Sequence, residues 1–347
     1  MTQPDSSTIR LGIVGAGTWG ETHARIYQAH DAATVVAVCD RDGTRAQQMA
    51  AALGISSWYD DYDQMFTEAG LDAVAIVTPD FAHADIAVAA AGKGLHMLIE
   101  KPLATTVEDV HRITDAVAAA GVRAMVDLHN RFSPPFHTAH QNLVAGELGQ
   151  LQNAYMRLND AKWVATDMLP WAAQSSILWF LGSHSVDTLR WFFDDEVVRV
   201  YAVSRSGVLQ GLGVNTVDTY LTTLEFAGGG IAQMENGWIN PNAMPCVNDI
   251  KFTAVGDQGM VSIDGSSHNL IQQYTEAQVT VPDVLVKNSI FGFPSGFAFQ
   301  SIRSFIDCLA TGEDFRVSLD DAAKVSLIVL AIMESAARRV PIDVSYS

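Results

Sequence analysis

The feature that most constrains this chain is a glycine turn, Gly15-Ala16-Gly17-Thr18-Trp19-Gly20, set between an apolar run at 9–14 and a helix-forming stretch at 19–29. A strand that reverses sharply into a helix needs backbone freedom at the turn, and each glycine meets a separate need. Gly15 permits the tight turn, Gly17 lets the backbone approach a pyrophosphate, and Gly20 lets helix and strand pack closely. The helix then offers unpaired N–H groups and its positive dipole end to an anion. Such turns are common, so the context matters. Asp40 closes the apolar run Val35-Val36-Ala37-Val38-Cys39, twenty residues beyond Gly20. An acid there accepts hydrogen bonds from an adenosine ribose and repels a 2′-phosphate, which favours NAD. Arg41 could pair with a 2′-phosphate and keeps NADP open.

The first third of the chain alternates short apolar runs with helical stretches. Strands are expected at 9–14, 34–39, 73–77, 96–99 and 123–127, with helices at 19–29, 44–53, 81–91 and 107–120. Continuously apolar strands between helices indicate a parallel sheet covered on both faces, a doubly wound Rossmann domain over residues 1–127. After that the character changes. Residues 130–135 carry two prolines and read as a loop. Longer β-type runs at 197–203, 216–226 and 230–239 surround a helix at 177–193, and helices at 297–310 and 319–338 close the chain. This predicts an α+β second domain over residues 128–347 with an open, mostly antiparallel sheet.

Composition removes other classes. Acidic residues outnumber basic ones 39 to 21, for a formal net charge of −18. No Lys/Arg stripe that would neutralise a nucleic acid is visible, so no nucleic-acid partner is expected. The most apolar helical stretch, 325–333, is far shorter than the ~20 residues that span a bilayer, so no membrane partner is expected either. Cys39, Cys246 and Cys308 are scattered without metal-ligand spacing, which predicts reduced thiols and no metal site. The segment Met1-Thr2-Gln3-Pro4-Asp5 lacks a basic stretch leading into an apolar one, so a cytoplasmic location is expected.

Three further motifs fall where strand ends or second-domain elements could carry chemistry. Thr78-Pro79-Asp80-Phe81-Ala82-His83 follows one strand, Glu100-Lys101-Pro102 follows the next, and Gly182-Ser183-His184-Ser185-Val186-Asp187 lies in the second domain. In this order, with the glycine turn, they resemble the glucose–fructose oxidoreductase, inositol dehydrogenase and MocA family over nearly the whole chain. The resemblance implies oxidation of a secondary hydroxyl on a sugar, cyclitol or related polyol. It also implies a homodimer or homotetramer formed through the second-domain sheet. It makes Lys101 a catalytic lysine beside the nicotinamide and His184 the acid or base on the reacting hydroxyl. Cofactor contacts are expected from Gly15, Gly17, Thr18, Trp19, Gly20, Asp40, Arg41, Thr78, Pro79, His83, Glu100, Lys101 and Pro102. Substrate contacts are expected from Lys101, Asn130, Arg131, Phe180, His184 and Asp187, with His129 on a loop beside them. Chemistry supports the two central roles: the hydroxyl proton needs an acceptor, and a cation stabilises the developing alkoxide. Trp179, Trp191, Phe192 and Phe193 read as core.

One departure stands out. Many family members carry an aspartate four residues before the histidine, where an α-helix would put both on one face; here that residue is Phe180. Asp187 or Asp167 could supply the carboxylate, or Phe180 and Trp179 could wall an apolar part of the substrate. A non-catalytic nucleotide- or sugar-binding regulator and an enzyme that cycles tightly bound NAD remain the alternatives.

Overall fold

The computed structural model describes residues 8–266 and 270–346, so the amino-terminal residues read for targeting lie outside the described residues. The chain forms two compact units. The first holds the described residues through His129 together with Val286–Ala323; the second holds Asn130–Leu285 and the residues from Lys324 onward.

The first unit runs β1 (Ile9–Val14), α1 (Thr18–Gln28), β2 (Ala33–Cys39), α2 (Gly43–Leu53), β3 (Ser57–Tyr59), α3 (Tyr62–Glu68), β4 (Ala73–Ile76), α4 (His83–Gly92), β5 (His96–Ile99), α5 (Val107–Ala120) and β6 (Ala124–Val126). The strands stand in the order β3-β2-β1-β4-β5-β6 and every neighbouring pair is parallel. All carboxyl ends therefore share one edge, where the loops collect ligand-binding residues. The β4 and β6 side chains are wholly buried, as two-sided coverage requires. Local signals set the helix ends: Asp42 caps α2 through Thr44 N–H, Thr106 caps α5 through Asp109 N–H, and Gly54 and Gly121 close these helices in left-handed conformations.

In the second unit α6 (Pro134–Val144) precedes β7 (Leu151–Ala161), α7 (Ser183–Phe193), β8 (Val197–Arg205), a single turn α8 (Val208–Gly211), β9 (Thr219–Phe226), β10 (Ile231–Asn240), β11 (Asn248–Gly256) and β12 (Met260–Asp264). Two short hairpins follow, β13 (Gln273–Tyr274) with β14 (Val279–Thr280), and β15 (Asn288–Ile290) with β16 (Phe293–Ser295), the second of them in the first unit. Then come α9 (Phe297–Thr311), α10 (Leu319–Arg338) and β17 (Ile342–Asp343). The seven-stranded sheet has the order β12-β11-β7-β10-β9-β8-β17 and is antiparallel except for β7 against β10. Burial alternates along β9, so one face is covered and the other open.

Three differences from the sequence reading have physical causes. The two prolines taken as a loop start α6, because proline fits the first helical position, where no N–H bond is lost. Strands β3, β7, β11 and β12 were not anticipated; β7, for example, carries Arg157, Asn159 and Asp160 among its apolar residues. Residues 286–323 join the first unit, although the sequence assigns everything from 128 onward to the second. Ile302, Phe305 and Ile306 of α9 pack into the core formed by Leu11, Tyr27 and Val38. His30 Nε2 lies 2.8 Å from Asp307, and Arg123 donates to the Cys308 carbonyl at 2.9 Å.

Candidate active site

The glycine turn of the first unit is built as its spacing requires. Gly15 sits at φ +111°, and a Cβ there would lie 2.2 Å from the Val77 carbonyl oxygen; one on Gly20 would lie 1.8 Å from the Gly15 oxygen. A Cβ on Gly17 would meet no atom within 4 Å. Gly15 and Gly20 are thus required by the protein, whereas Gly17 borders open space that a pyrophosphate can use. Gly17 caps α1 without a side-chain hydrogen bond, which leaves the helix N–H groups to an anion. Asp40 is buried and oriented by two backbone amides, accepting from Ala16 N–H and Asp42 N–H, each at 2.9 Å. These residues fit a dinucleotide. The arginine on Asp40 is Arg45, at 3.2 Å, and not the adjacent Arg41, which is exposed.

The ends of β4 and β5 are tied together from behind. His83 is fully buried, with its ring nitrogens 2.8 Å from the Pro102 carbonyl oxygen and 3.0 Å from that of Thr78. It therefore fixes the two loops. The Lys101–Pro102 peptide is cis, and Lys101 is half-buried. Glu100 accepts on one oxygen from Trp19 Nε1 at 2.7 Å and lies 2.9 Å from His23 Nε2. Burial raises the Glu100 carboxyl, but the His23 hydrogen bond and charge, with Lys101 and His129, outweigh it and hold the group below the ordinary carboxylate range. Asp127, at the end of β6, accepts from Ser301 Oγ and lies 3.4 Å from His129 Nδ1. His23, Glu100 and Asp127 bring metal-ligating atoms within 4.8 Å of one another.

In the second unit, α7 carries His184 and Asp187, both buried. Asp187 takes a two-point ion pair from Arg131, with Nη2 at 2.6 Å and Nε at 3.1 Å. Asn130 donates to Thr188 Oγ1 at 3.1 Å. The loop before α6 is thereby held to α7 by two adjacent residues. Phe180, half-buried, belongs to a π-helical stretch, Leu178–Gly182, that runs directly into α7. The wider turn changes which side chains align, so α-helical spacing does not describe the relation of position 180 to His184. Trp179 is core, and Phe192 lies among Phe136 and Phe252. Asp167 is exposed and accepts from Thr166 Oγ1 at 2.6 Å.

The structure gathers Gly15, Gly17, Thr18, Trp19, Gly20, Asp40, Thr78, Pro79, Glu100, Lys101 and Pro102 on one edge of the first sheet. In the second unit, Asn130 and Arg131 are bonded to Thr188 and Asp187 of α7, which also carries His184 and follows the turn that holds Phe180. Sequence reading missed His23 and Arg45. His23 had a signal, since it stands one helical turn after Trp19; Arg45 stands three residues after Asp42 in the first turn of α2 and pairs with it as well.

Comparison with known proteins follows the same division. Residues 9–128 match the GFO/IDH/MocA oxidoreductase family with its NAD-binding Rossmann fold, and residues 136–262 match the GFO/IDH/MocA C-terminal domain. D-xylose 1-dehydrogenase (NADP(+)) 2 of Haloferax volcanii is 30% identical over 333 residues, covering 94% of this chain and 96% of that protein. Inositol 2-dehydrogenase 1 of Saccharopolyspora erythraea is 29% identical over 343 residues, covering 97% and 96%. The scyllo-inositol dehydrogenase of Lactobacillus casei, solved with NAD(H) and scyllo-inositol, shares the fold with a TM-score of 0.83 at 20% identity, over 97% of this chain and 99% of that one. Matches to both domains, together with end-to-end similarity to such a relative, make this chain a member of the GFO/IDH/MocA family of NAD-binding oxidoreductases.

Proposed function

We propose that this chain oxidises a secondary hydroxyl of a cyclitol, sugar or related polyol, with NAD as the hydride acceptor. The observation that carries the reading is the joining of a dinucleotide seat (Gly17, the open α1 terminus and Asp40) to a lysine fixed at the next strand ends. Near full-length relatives named as inositol and xylose dehydrogenases support the substrate class. Bound NAD supplies the hydride acceptor. Lys101 places its ammonium on the reacting oxygen and stabilises the charge that develops as its proton leaves. By the family resemblance His184 would take that proton, a role suited to imidazole. Arg131, held by Asp187, orients substrate hydroxyls. Asp40 favours NAD, while Arg45 and Arg41 soften the discrimination against NADP. Three free cysteines without pairing fit a reducing, cytoplasmic setting, and among the described residues no helix is long and apolar enough to cross a membrane.

A panel of inositols, aldoses and anhydrosugars with NAD and NADP, read as reduced-cofactor absorbance, tests the reading. Turnover on at least one cyclitol or aldose, faster with NAD, is expected. No turnover despite tight NAD binding would replace it with a nucleotide-binding regulator. NAD that survives gel filtration and is reduced and reoxidised within one catalytic cycle would favour a cycling enzyme.

We further propose that copies associate through the open face of the second sheet. Pairing of β8, β9 and β10 puts Tyr201, Val203, Leu221 and Ile231 on that face, with Leu221 and Ile231 53% and 52% exposed. Exposed apolar groups of this size, set among Thr223, Gln233 and Glu235, fit burial against a second copy. Sedimentation is expected to show a dimer or tetramer that Leu221→Asp shifts toward monomer; a monomeric wild-type protein would remove the proposal.

A further inference from the structure

We propose that Trp19 is a positioning residue for Lys101, acting through Glu100, so that the helix seating the nucleotide also sets the lysine. The inference rests on the catalytic reading of Lys101, and it starts from how that residue is bracketed. On one side, Glu100 N–H donates to the Ile76 carbonyl at 2.9 Å, which fixes the strand end. The Glu100 side chain is then anchored by Trp19 at 2.7 Å and His23 at 2.9 Å on the same oxygen. On the other side, the Pro102 carbonyl oxygen lies 2.8 Å from a buried ring nitrogen of His83. Lys101 is the residue between these two fixed points.

Trp19 stands at the second position of α1, whose amino terminus is the anion seat. Its indole N–H therefore joins the first turn of the phosphate-binding helix to the residue preceding the lysine. His23, one turn further along α1, is fully buried, and its Nδ1 lies 3.4 Å from the Tyr27 hydroxyl. Its two ring nitrogens thus bridge the Glu100 carboxylate and the Tyr27 hydroxyl. The two donors differ in consequence. Removing His23 would leave a buried carboxylate and a buried hydroxyl short of partners, whereas half-buried Trp19 contributes one N–H that can be deleted while the ring is kept. Lys287 approaches that ring at 5.8 Å from its centroid and helps hold it in place. A backbone tied in this way narrows the positions open to the lysine ammonium, which matters for transition-state charge more than for ground-state binding.

Trp19→Phe is the test, in the full-length protein. Loss of one hydrogen bond to an ionised carboxylate is expected to lower kcat roughly tenfold, with NAD affinity and polyol KM within about twofold of wild type. In a Lys101→Ala background the same change should have no further effect, because its route to the chemistry is gone. Glu100→Gln should likewise absorb most of it. A readout independent of turnover is the acetic-anhydride labelling of Lys101, measured by mass spectrometry against Lys93. It is expected to shift in Trp19→Phe and stay at the wild-type rate in Trp19→His, which retains a ring donor. A kcat loss that persists undiminished without Lys101, or weaker NAD binding at unchanged kcat, would overturn the proposal; the latter would make Trp19 a direct cofactor contact. If wild type turns over no polyol, the catalytic reading fails, and unchanged labelling in Trp19→Phe would separately remove the positioning role.

Discussion

Lys101→Ala is expected to lower kcat by about 10²-fold or more while NAD binds with near wild-type affinity. The asymmetry follows from what holds each partner. In the proposed site the nucleotide would be seated by backbone at Gly15–Gly20 and by Asp40, neither of which uses the lysine ammonium. The reacting oxygen, by contrast, gains negative charge only as its proton leaves, and an ammonium held there acts on the transition state more than on the ground state. Truncation should also leave stability nearly intact, because Lys101 is half-buried and its neighbours are anchored by His23, Trp19 and His83. Steady-state rates and NAD titration on the same sample check this. An unchanged rate would remove Lys101 from the chemistry.

The second large effect separates two glycines of one turn. Gly20→Ala sets a Cβ 1.8 Å from the Gly15 carbonyl oxygen, a backbone atom that cannot swing aside. Forcing α1 away from β1 is expected to cost about 3 kcal/mol or more, which lowers Tm by roughly 6–12 °C for a domain of this size. NAD binding should be lost with it. Gly17→Ala meets no protein atom within 4 Å, so its cost is expected to be only about 1 kcal/mol or less, that of a poorer N-cap. Its NAD affinity should nonetheless fall at least about tenfold, because the methyl group enters the space a pyrophosphate needs. Thermal melts with and without NAD distinguish the two. A Gly17→Ala protein that binds NAD as wild type does would show that the phosphates do not approach there.

Much of the first unit was legible because its signals are local. Strand β1 and helix α5 begin and end where apolar runs, a threonine cap and a closing glycine say they should. Asp40 could be read from spacing alone, since strand length and turn length fix its distance from the glycines. Contacts between distant segments were not legible. Nothing in the amphipathic pattern of α9 states which core it joins, and only Ile302, Phe305 and Ile306 packed beside Leu11 and Tyr27 settle it. The same limit governs the site. Asp187 was open to substrate contact, packing or support of His184; the structure sets it on Arg131, 56 residues away in sequence. Phe180 was weighed on α-helical spacing, whereas the residues before His184 form a π-helical turn with a different phase. Glu100 was read as a cofactor contact, and spacing along the chain gave no sign of its bonds to Trp19 and His23 on α1.

This chain is expected to move a hydride from a ring carbon of a polyol to NAD. The most direct measurement uses the best substrate of the panel deuterated at the oxidised carbon, with mass spectrometry of the reduced cofactor. The reduced nicotinamide is expected to carry the deuterium, and Lys101→Ala to slow its appearance. Reduced cofactor without deuterium, or none formed while NAD remains tightly bound, would contradict it.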